Sequence, residues 1–363
     1  MESLACVIHN KMDLRIEKVL LGALGETQVS VRVLAGGICG SDLHYYLDGG
    51  FGTVRIKEPM ILGHEVSGTV EALGSEVTKV NIGDHISLNP SHPCGHCTFC
   101  KSGQQQHCLD MWFYGSAMRV PHSQGAFRER LITEEFQCEP VGDSVSFGEA
   151  ACAEPLAVSL HAVNQAGTLM GKNVLVTGSG PIGALVIAAA RYAGAAEVVA
   201  TDLHAAALKK AAEMGATRVV NVSVEPGLKK EEFLSDKGYF DVAFECTGAS
   251  PVLRAVIPVV KPRGTIVQVG LTGDVSLPIN GLVGKEISLV GTHRCNSEFP
   301  LAVRLIREGK INVKPIITAT LPFERAVEAF DLARNRKAQM KVQLSFKDLC
   351  PEWLIYQTEY ISS

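Results

Sequence analysis

The rhythm of apolar and polar positions changes twice along the chain, and each change predicts a different architecture. Up to about residue 155 the apolar positions fall in short β-branched runs, Gln28–Leu34, Val66–Leu73 and His85–Leu88, cut by Gly36-Gly37, Gly49-Gly50-Phe51-Gly52 and Asn89-Pro90. That pattern predicts a β-rich, loop-rich domain with little helix. From about 160 to 292 six short apolar segments follow: Val174–Thr177, Glu197–Thr201, Arg218–Val222, Phe240–Glu245, Thr265–Val269 and Ile287–Val290. The first two links between them, Ile182–Ala193 and Ala205–Met214, are rich in Ala and Leu and read as helices. Strands alternating with helical crossovers build a doubly wound parallel sheet, which makes the fold class α/β. The remainder holds two helical patterns, Phe299–Glu308 and Phe323–Asn335, and a closing strand, Met340–Ser345. The mixed tail, 347–363, carries no functional signal.

A chain of 363 residues exceeds what one hydrophobic core usually fills, in keeping with two domains. Composition mainly excludes. Hydrophobic residues at 46% and charged residues at 20% belong to a globular protein, not a disordered one. A net charge of −4 with no Lys/Arg run argues against a nucleic-acid or anionic-membrane surface. The longest uncharged stretch, Asn173–Ala190, has Gly178, Gly180, Pro181 and Gly183 at its centre, so a buried strand, turn and helix explain it better than a membrane span. The N-terminus has no apolar signal region, and a cytosolic location with reduced thiols is expected. Eleven cysteines, an odd number over a long chain, suit metal binding better than a disulfide scaffold.

The strongest motif follows the first segment of the alternating region. Gly178-Ser179-Gly180-Pro181-Ile182-Gly183 is G-x-G-x-x-G between a strand and a helix. The first glycine permits the tight turn, the second lets backbone approach a pyrophosphate, and the third lets helix pack on strand. Asp202 ends the next strand nineteen residues after Gly183, where a carboxylate can accept from ribose hydroxyls. Leu203, His204 and Ala205 follow it with no Arg for a 2′-phosphate, so NAD is favoured over NADP.

Cys94, Cys97, Cys100 and Cys108 form C-x2-C-x2-C-x7-C, the spacing of a closed structural zinc site; paired disulfides or free thiols are the alternatives. A second set is scattered: Cys39 in Gly-Ile-Cys-Gly-Ser-Asp, His64 and Glu65 in Leu-Gly-His-Glu, and Glu154 in Ala-Glu-Pro. One thiolate, one imidazole and one carboxylate would leave an open zinc position, the catalytic arrangement. On spacing alone, isolated Cys and His residues are as readily structural.

Gly63-His64-Glu65-x-x-Gly68-x5-Gly74-x2-Val77, with Cys39-Gly40-Ser41-Asp42 before it and the four cysteines after it, resembles the zinc-containing medium-chain alcohol and polyol dehydrogenases. The likeness runs from about Cys6 to Phe346. It implies a GroES-like catalytic domain over 1–158 with a zinc lobe at about 90–110, a Rossmann cofactor domain over 159–292, and a return to the catalytic domain over 293–346. It also implies two Zn2+ per chain, a homo-oligomer, and hydride transfer between a nicotinamide and a secondary alcohol. Glu154 and His44-Tyr45 are similar to the sorbitol-type branch, and longer segments such as 36–46 and 153–158 to members acting on a sugar acid.

Residue roles carried by the resemblance are these. Cys39, His64 and either Glu154, ranked first, or Glu65 bind the catalytic zinc; the proton leaves either by Ser41 and His44 through the ribose or to a zinc-bound water near Glu65 and Glu154. Thr247, Val269 and Lys341 join the glycine turn at the cofactor, Lys341 at the pyrophosphate, and Val158 backs the nicotinamide. Arg294, with Tyr45 and more weakly Arg119, meets the substrate. Ala207 stands where several relatives carry a cation near the ribose. Sorbitol/xylitol-type polyol dehydrogenases, threonine-type dehydrogenases and, as a minor one, non-catalytic nucleotide-binding members are the competing readings.

Overall fold

The structure is a computed structural model and describes residues 2–271 and 273–346; the tail 347–363 lies outside them. Three sheets matter for the site. A hairpin of Glu2–Asn10 and Asp13–Leu20 extends to Met60–Ile61, covering one side of the N-terminal region. The main N-terminal sheet runs Cys138–Pro140, His85–Leu88, Glu65–Leu73, Gln28–Gly37, Lys341–Ser345 and Ile317–Pro322, with Arg130–Glu134 also on Gln28–Gly37. The C-terminal strand is thus inserted beside the third strand of the chain, Gln343 opposite Gly37 and Ser345 opposite Ala35. Inward positions Val29, Val31 and Val33 alternate with outward ones, as a half-buried strand requires.

The cofactor domain is a six-stranded parallel sheet in the order Arg218–Asn221, Glu197–Asp202, Asn173–Thr177, Phe240–Glu245, Val260–Gln268, Ser288–Gly291. Its buried residues divide by parity. Val174 and Val176 face a core shared with helix Pro181–Tyr192, whereas Leu175 faces the core beneath helix Ser250–Val259. Each fully buried side chain of this size contributes about 1.5–3 kcal/mol, so both faces are held strongly. The strand order reverses between Asn173–Thr177 and Phe240–Glu245, and ligands of such sheets lie at that point.

Two details differ from the sequence expectation. The N-terminal region has more helix than its β-branched runs suggest: Gly40–Asp48, Phe147–Ala151 and Ala153–Gln165 are helical. Helix Ala153–Gln165 is buried on nearly every side from Ala153 to Val163, with Glu154, Ser159 and His161 among the buried residues, so it has no exposed polar face to give an amphipathic period. Helix Glu298–Arg307 packs against that helix in the cofactor-side core, while the segment from Leu321 to Phe346 joins the catalytic core. No helix among the described residues is long and apolar enough to cross a membrane.

Candidate active site and metal centres

Cys39 precedes helix Gly40–Asp48, and its backbone N–H donates to Asp42 Oδ2 at 2.9 Å. The other oxygen of Asp42 accepts from the backbone N–H of Gly63 at 3.2 Å, beside His64. One buried carboxylate therefore ties together the two chain segments that carry Cys39 and His64. Donor atoms of Cys39, His64 and Glu65 lie within 4.8 Å of one another. His64 Nδ1 is buried without a hydrogen-bond partner, its nearest acidic neighbour being Asp42 Oδ1 at 3.8 Å. Burial alone would depress the His64 imidazole, yet Asp42, Cys39 and Glu154 push it up to about 10. Such a site, dense in anionic donors and with an orphaned imidazole nitrogen, fits a divalent cation. Thiolate, imidazole and carboxylate are the donors of an open zinc site.

The two glutamates are placed differently about this set. Glu65 belongs to the compact set, and Glu154, in the first turn of helix Ala153–Gln165, stands outside it. Glu154 still faces the same charges: burial pushes its carboxyl up to about 7, against the pull of His64. The reason Glu65 reaches the centre is Gly37. Glu65 sits opposite Gly37 in the sheet, and a Cβ at Gly37 would fall 2.3 Å from Glu65 Oε2.

Lys341 is buried against the same set. Its Nζ is 2.7 Å from Glu65 Oε1 and 2.6 Å from Oε2, and it donates to the Ile38 carbonyl at 3.3 Å. At 2% exposure its ammonium is committed to Glu65. The strand insertion that brings Lys341 beside Gly37 is a tertiary event, invisible in the local motif.

The four-cysteine lobe has the expected geometry. All four Sγ atoms lie within 4.8 Å of one another, and Cys94 and Cys100 are 4.0 Å apart. Tetrahedral Zn–S bonds of 2.3 Å imply edges of about 3.8 Å, so the cradle fits that ion. Backbone N–H groups of Leu109 and Cys100 pull the Cys97 thiol down to about 6, while burial pushes Cys100 up to about 12. None of the described cysteines is in a disulfide.

At the glycine turn the three glycines do three things. Gly178 has φ +81°, and a Cβ there would meet Thr247 Cγ2 at 2.7 Å. A Cβ on Gly183 would meet the Gly178 carbonyl at 1.8 Å, so helix and strand touch there. Gly180 opens on free space at the start of helix Pro181–Tyr192, where Pro181 occupies the first turn. That is the shape of an anion cradle at a helix N-terminus. Asp202 accepts from the backbone N–H of Ser179 at 2.8 Å and of His204 at 2.9 Å, which fixes its carboxylate beside the turn. Ile182 and Val269 pack against the cofactor-side core.

The substrate candidates separate. Arg294 adopts φ +54°, an uncommon backbone for a side-chain-bearing residue, and its guanidinium lies 4.1 Å from the Phe113 ring. Phe113 in turn is 5.5 Å from the His64 ring, so Arg294 stands one residue away from the metal set. Tyr45 is buried, and its hydroxyl accepts from the Ala117 N–H at 3.0 Å, which makes it a wall of the cleft more than a free donor. Arg119 is committed elsewhere, to Asp110 at 2.7 Å and the Trp112 face at 3.5 Å. His44 is half-exposed and 3.3 Å from Asp48. Ser41 lies on the same helix at intermediate depth.

Sequence reading gave no role to Asp42, Glu245 or Glu298. An acid three residues after Cys39, at a helix start, was a legible signal for Asp42. Glu245 is fully buried; it accepts from Thr247 N–H at 2.8 Å, Gly248 N–H at 3.0 Å and Gln268 Nε2 at 2.7 Å, shaping the crevice beside Gly178. Glu298 bonds His161 and Asn164, both at 2.9 Å, and so locks the helix carrying Glu154 to the segment carrying Arg294. These two depend on partners more than twenty residues away or on strand packing, and no local pattern marks them.

Comparison with known proteins agrees with this geometry. Residues 25–143 match the alcohol dehydrogenase GroES-like domain, and residues 181–308 match the zinc-binding dehydrogenase domain. The chain is 40% identical to L-idonate 5-dehydrogenase (NAD(P)(+)) of Escherichia coli over 94% of its own length and 98% of that protein. It is 37% identical to sorbitol dehydrogenase of Pongo abelii, covering 91% and 92% of the two chains. The crystal structure of L-idonate 5-dehydrogenase from Escherichia coli superposes with a TM-score of 0.92 at 39% identity, over 95% of this chain and 99% of that one. With both domain signatures in order and both cysteine-bearing centres assembled, the chain belongs to the zinc-binding medium-chain alcohol dehydrogenases.

Proposed function

We propose that this protein is an NAD-dependent dehydrogenase of sugar acids that oxidises the C5 hydroxyl of L-idonate to 5-keto-D-gluconate, reversibly. The observation that carries the sugar-acid reading is Arg294, a guanidinium against Phe113 at the edge of the Cys39–His64–Glu65 set. A planar, permanently charged fork there suits a carboxylate and its neighbouring hydroxyls. The relative at 40% identity, named for an aldonate, supports the same choice.

Cys39, His64 and Glu65 would hold zinc, with Glu154 beside them. When bound, zinc supplies a Lewis acid for the substrate hydroxyl, and the nicotinamide supplies the hydride acceptor. Asp42 orients the set by fixing the backbone of Cys39 and Gly63. Ser41 and His44, on the helix that starts at Cys39, lead the hydroxyl proton from the cleft to solvent, where His44 meets Asp48. Gly178, Gly180 and Gly183 give the pyrophosphate its approach, and Asp202 takes the ribose hydroxyls and opposes a 2′-phosphate.

The test is an initial-rate panel of L-idonate, D-gluconate, sorbitol, xylitol and L-threonine with NAD and with NADP. The expected result is highest kcat/KM for L-idonate with NAD, reversed by 5-keto-D-gluconate and NADH. A preference for sorbitol or xylitol would replace the reading with a neutral-polyol one, which the 37% identical sorbitol dehydrogenase favours.

A further inference from the structure

The zinc lobe does more in this fold than staple its own loop. A cavity of about 580 Å³ lies between the lobe and the turn that carries Arg294. Gln104, Gln106 and His107 line it from the lobe, His293 and Arg294 from the facing turn, and Met118 from the loop between. No carboxylate lines it. Its two walls are tied: Asn296 Nδ2 donates to the Gly103 carbonyl at 2.6 Å, and the His107 and His293 rings stack at 6.0 Å with 17° between planes. Gln106 Oε1 is buried without a hydrogen-bond partner. A buried amide oxygen left unmatched is unfavourable, and a hydroxyl donor would satisfy it. Arg294 Nη2 reaches Met118 Sδ at 3.2 Å and the Phe113 face at 4.1 Å, so one guanidinium borders both the cavity and the approach to His64.

We infer that this cavity is a distal subsite for the polyhydroxy-acid end of the substrate, with Gln104, Gln106 and His107 of the lobe and His293 of the facing turn as specificity residues beside Arg294. The inference rests on the sugar-acid reading above and extends it to residues outside the metal set. Carboxamides and imidazoles can both give and take hydrogen bonds, so they match a chain of hydroxyls. Burial, with Arg294 and His107 nearby, pushes His293 down to about 4, which leaves it an uncharged hydrogen-bonding group at neutral pH. A short alcohol held at the metal set would not extend to the lobe.

The experiment uses the zinc-loaded enzyme and its Gln106→Leu and His293→Leu variants. It reads kcat/KM for L-idonate and for 2,3-butanediol, together with equilibrium binding of D-gluconate to the NAD complex. Thermal midpoint and zinc per chain are checked for each variant, and His293→Gln serves as the conservative rescue. The expected result is a fall of about tenfold or more for L-idonate, a change within about twofold for 2,3-butanediol, unchanged zinc content, and recovery in His293→Gln. Equal losses on both alcohols, or no loss on either, overturn the subsite. If the wild type turns over no sugar acid but binds D-gluconate in a Gln106-dependent way, the proposed reaction fails and the subsite stands. If it turns over L-idonate with both variants intact, the reaction stands and the subsite fails. Neither turnover nor binding overturns both.

Discussion

The Lys341 ammonium lies 2.6 Å from Glu65 Oε2, with both groups buried and drawn from opposite ends of the chain. The pair joins the strand that closes the catalytic sheet to the carboxylate of the metal set. Burial by itself would depress Lys341, yet Glu65 and Cys39 hold its ammonium above the usual lysine range. Gly37 gives both side chains their room, since a Cβ there would touch Glu65 Oε2 and come within 3.3 Å of Lys341 Cδ.

Removing one partner of that pair should cost far more than removing both. Lys341→Met leaves a buried carboxylate uncompensated, with an expected loss of about 3–5 kcal/mol in the metal-free protein. Glu65→Gln combined with Lys341→Met should recover much of it. Urea unfolding of the two single variants and the double, after chelation, measures the coupling; additive losses would mean the pair is not energetically joined.

Gly37→Ala should displace the Glu65 carboxylate without disturbing the distant lobe. Metal analysis is expected to fall from two zinc ions per chain to one, with activity lost. Retention of both ions would show that the Glu65 side chain can be placed another way.

The lobe thiols should be shielded by their metal. Cys94, Cys97, Cys100 and Cys108 are expected to react with a thiol reagent only after a strong chelator is added, with Cys97 fastest, since backbone N–H groups pull its thiol down to about 6. Cys100→Ser should lower the thermal midpoint and lose one zinc. Immediate reaction of all four in the untreated protein would contradict a bound ion.

Glu298 makes a prediction in pH. Burial opposes its charge, but hydrogen bonds from His161, the Asn296 N–H and Asn164 outweigh burial and hold its carboxyl down at about 2. A depressed carboxylate stabilises the fold above its unfolded pKa, near 4.3, and that contribution fades as pH falls toward 2. Glu298→Gln should therefore be less stable than wild type by about 2 kcal/mol at neutral pH, the scale of a charge-assisted hydrogen bond, with the gap closing below pH 4. Urea midpoints at several pH values decide it, and a pH-independent gap would assign the loss to packing.

Asp202 should set the cofactor. Its carboxylate is held beside the turn by Ser179 and His204, where it would repel a 2′-phosphate. Asp202→Gly is expected to shift the NADP-to-NAD ratio of kcat/KM upward by about tenfold or more. An unchanged ratio would place cofactor choice elsewhere.

Sequence alone determined the parts that depend on local spacing. The alternation of apolar segments defined the parallel sheet, the glycine turn occupies its first strand-to-helix junction, and four close cysteines form one cradle because short loops cannot separate them. Tertiary structure alone decided which glutamate joins Cys39 and His64, and where Lys341 and Arg119 point. The first two follow from a C-terminal strand laid beside Gly37, a contact between distant segments that no local pattern links, and the last from a short loop that folds Arg119 back onto Trp112. The cavity between the lobe and Arg294 belongs to the same class: its walls come from regions almost two hundred residues apart, and only packing brings them face to face.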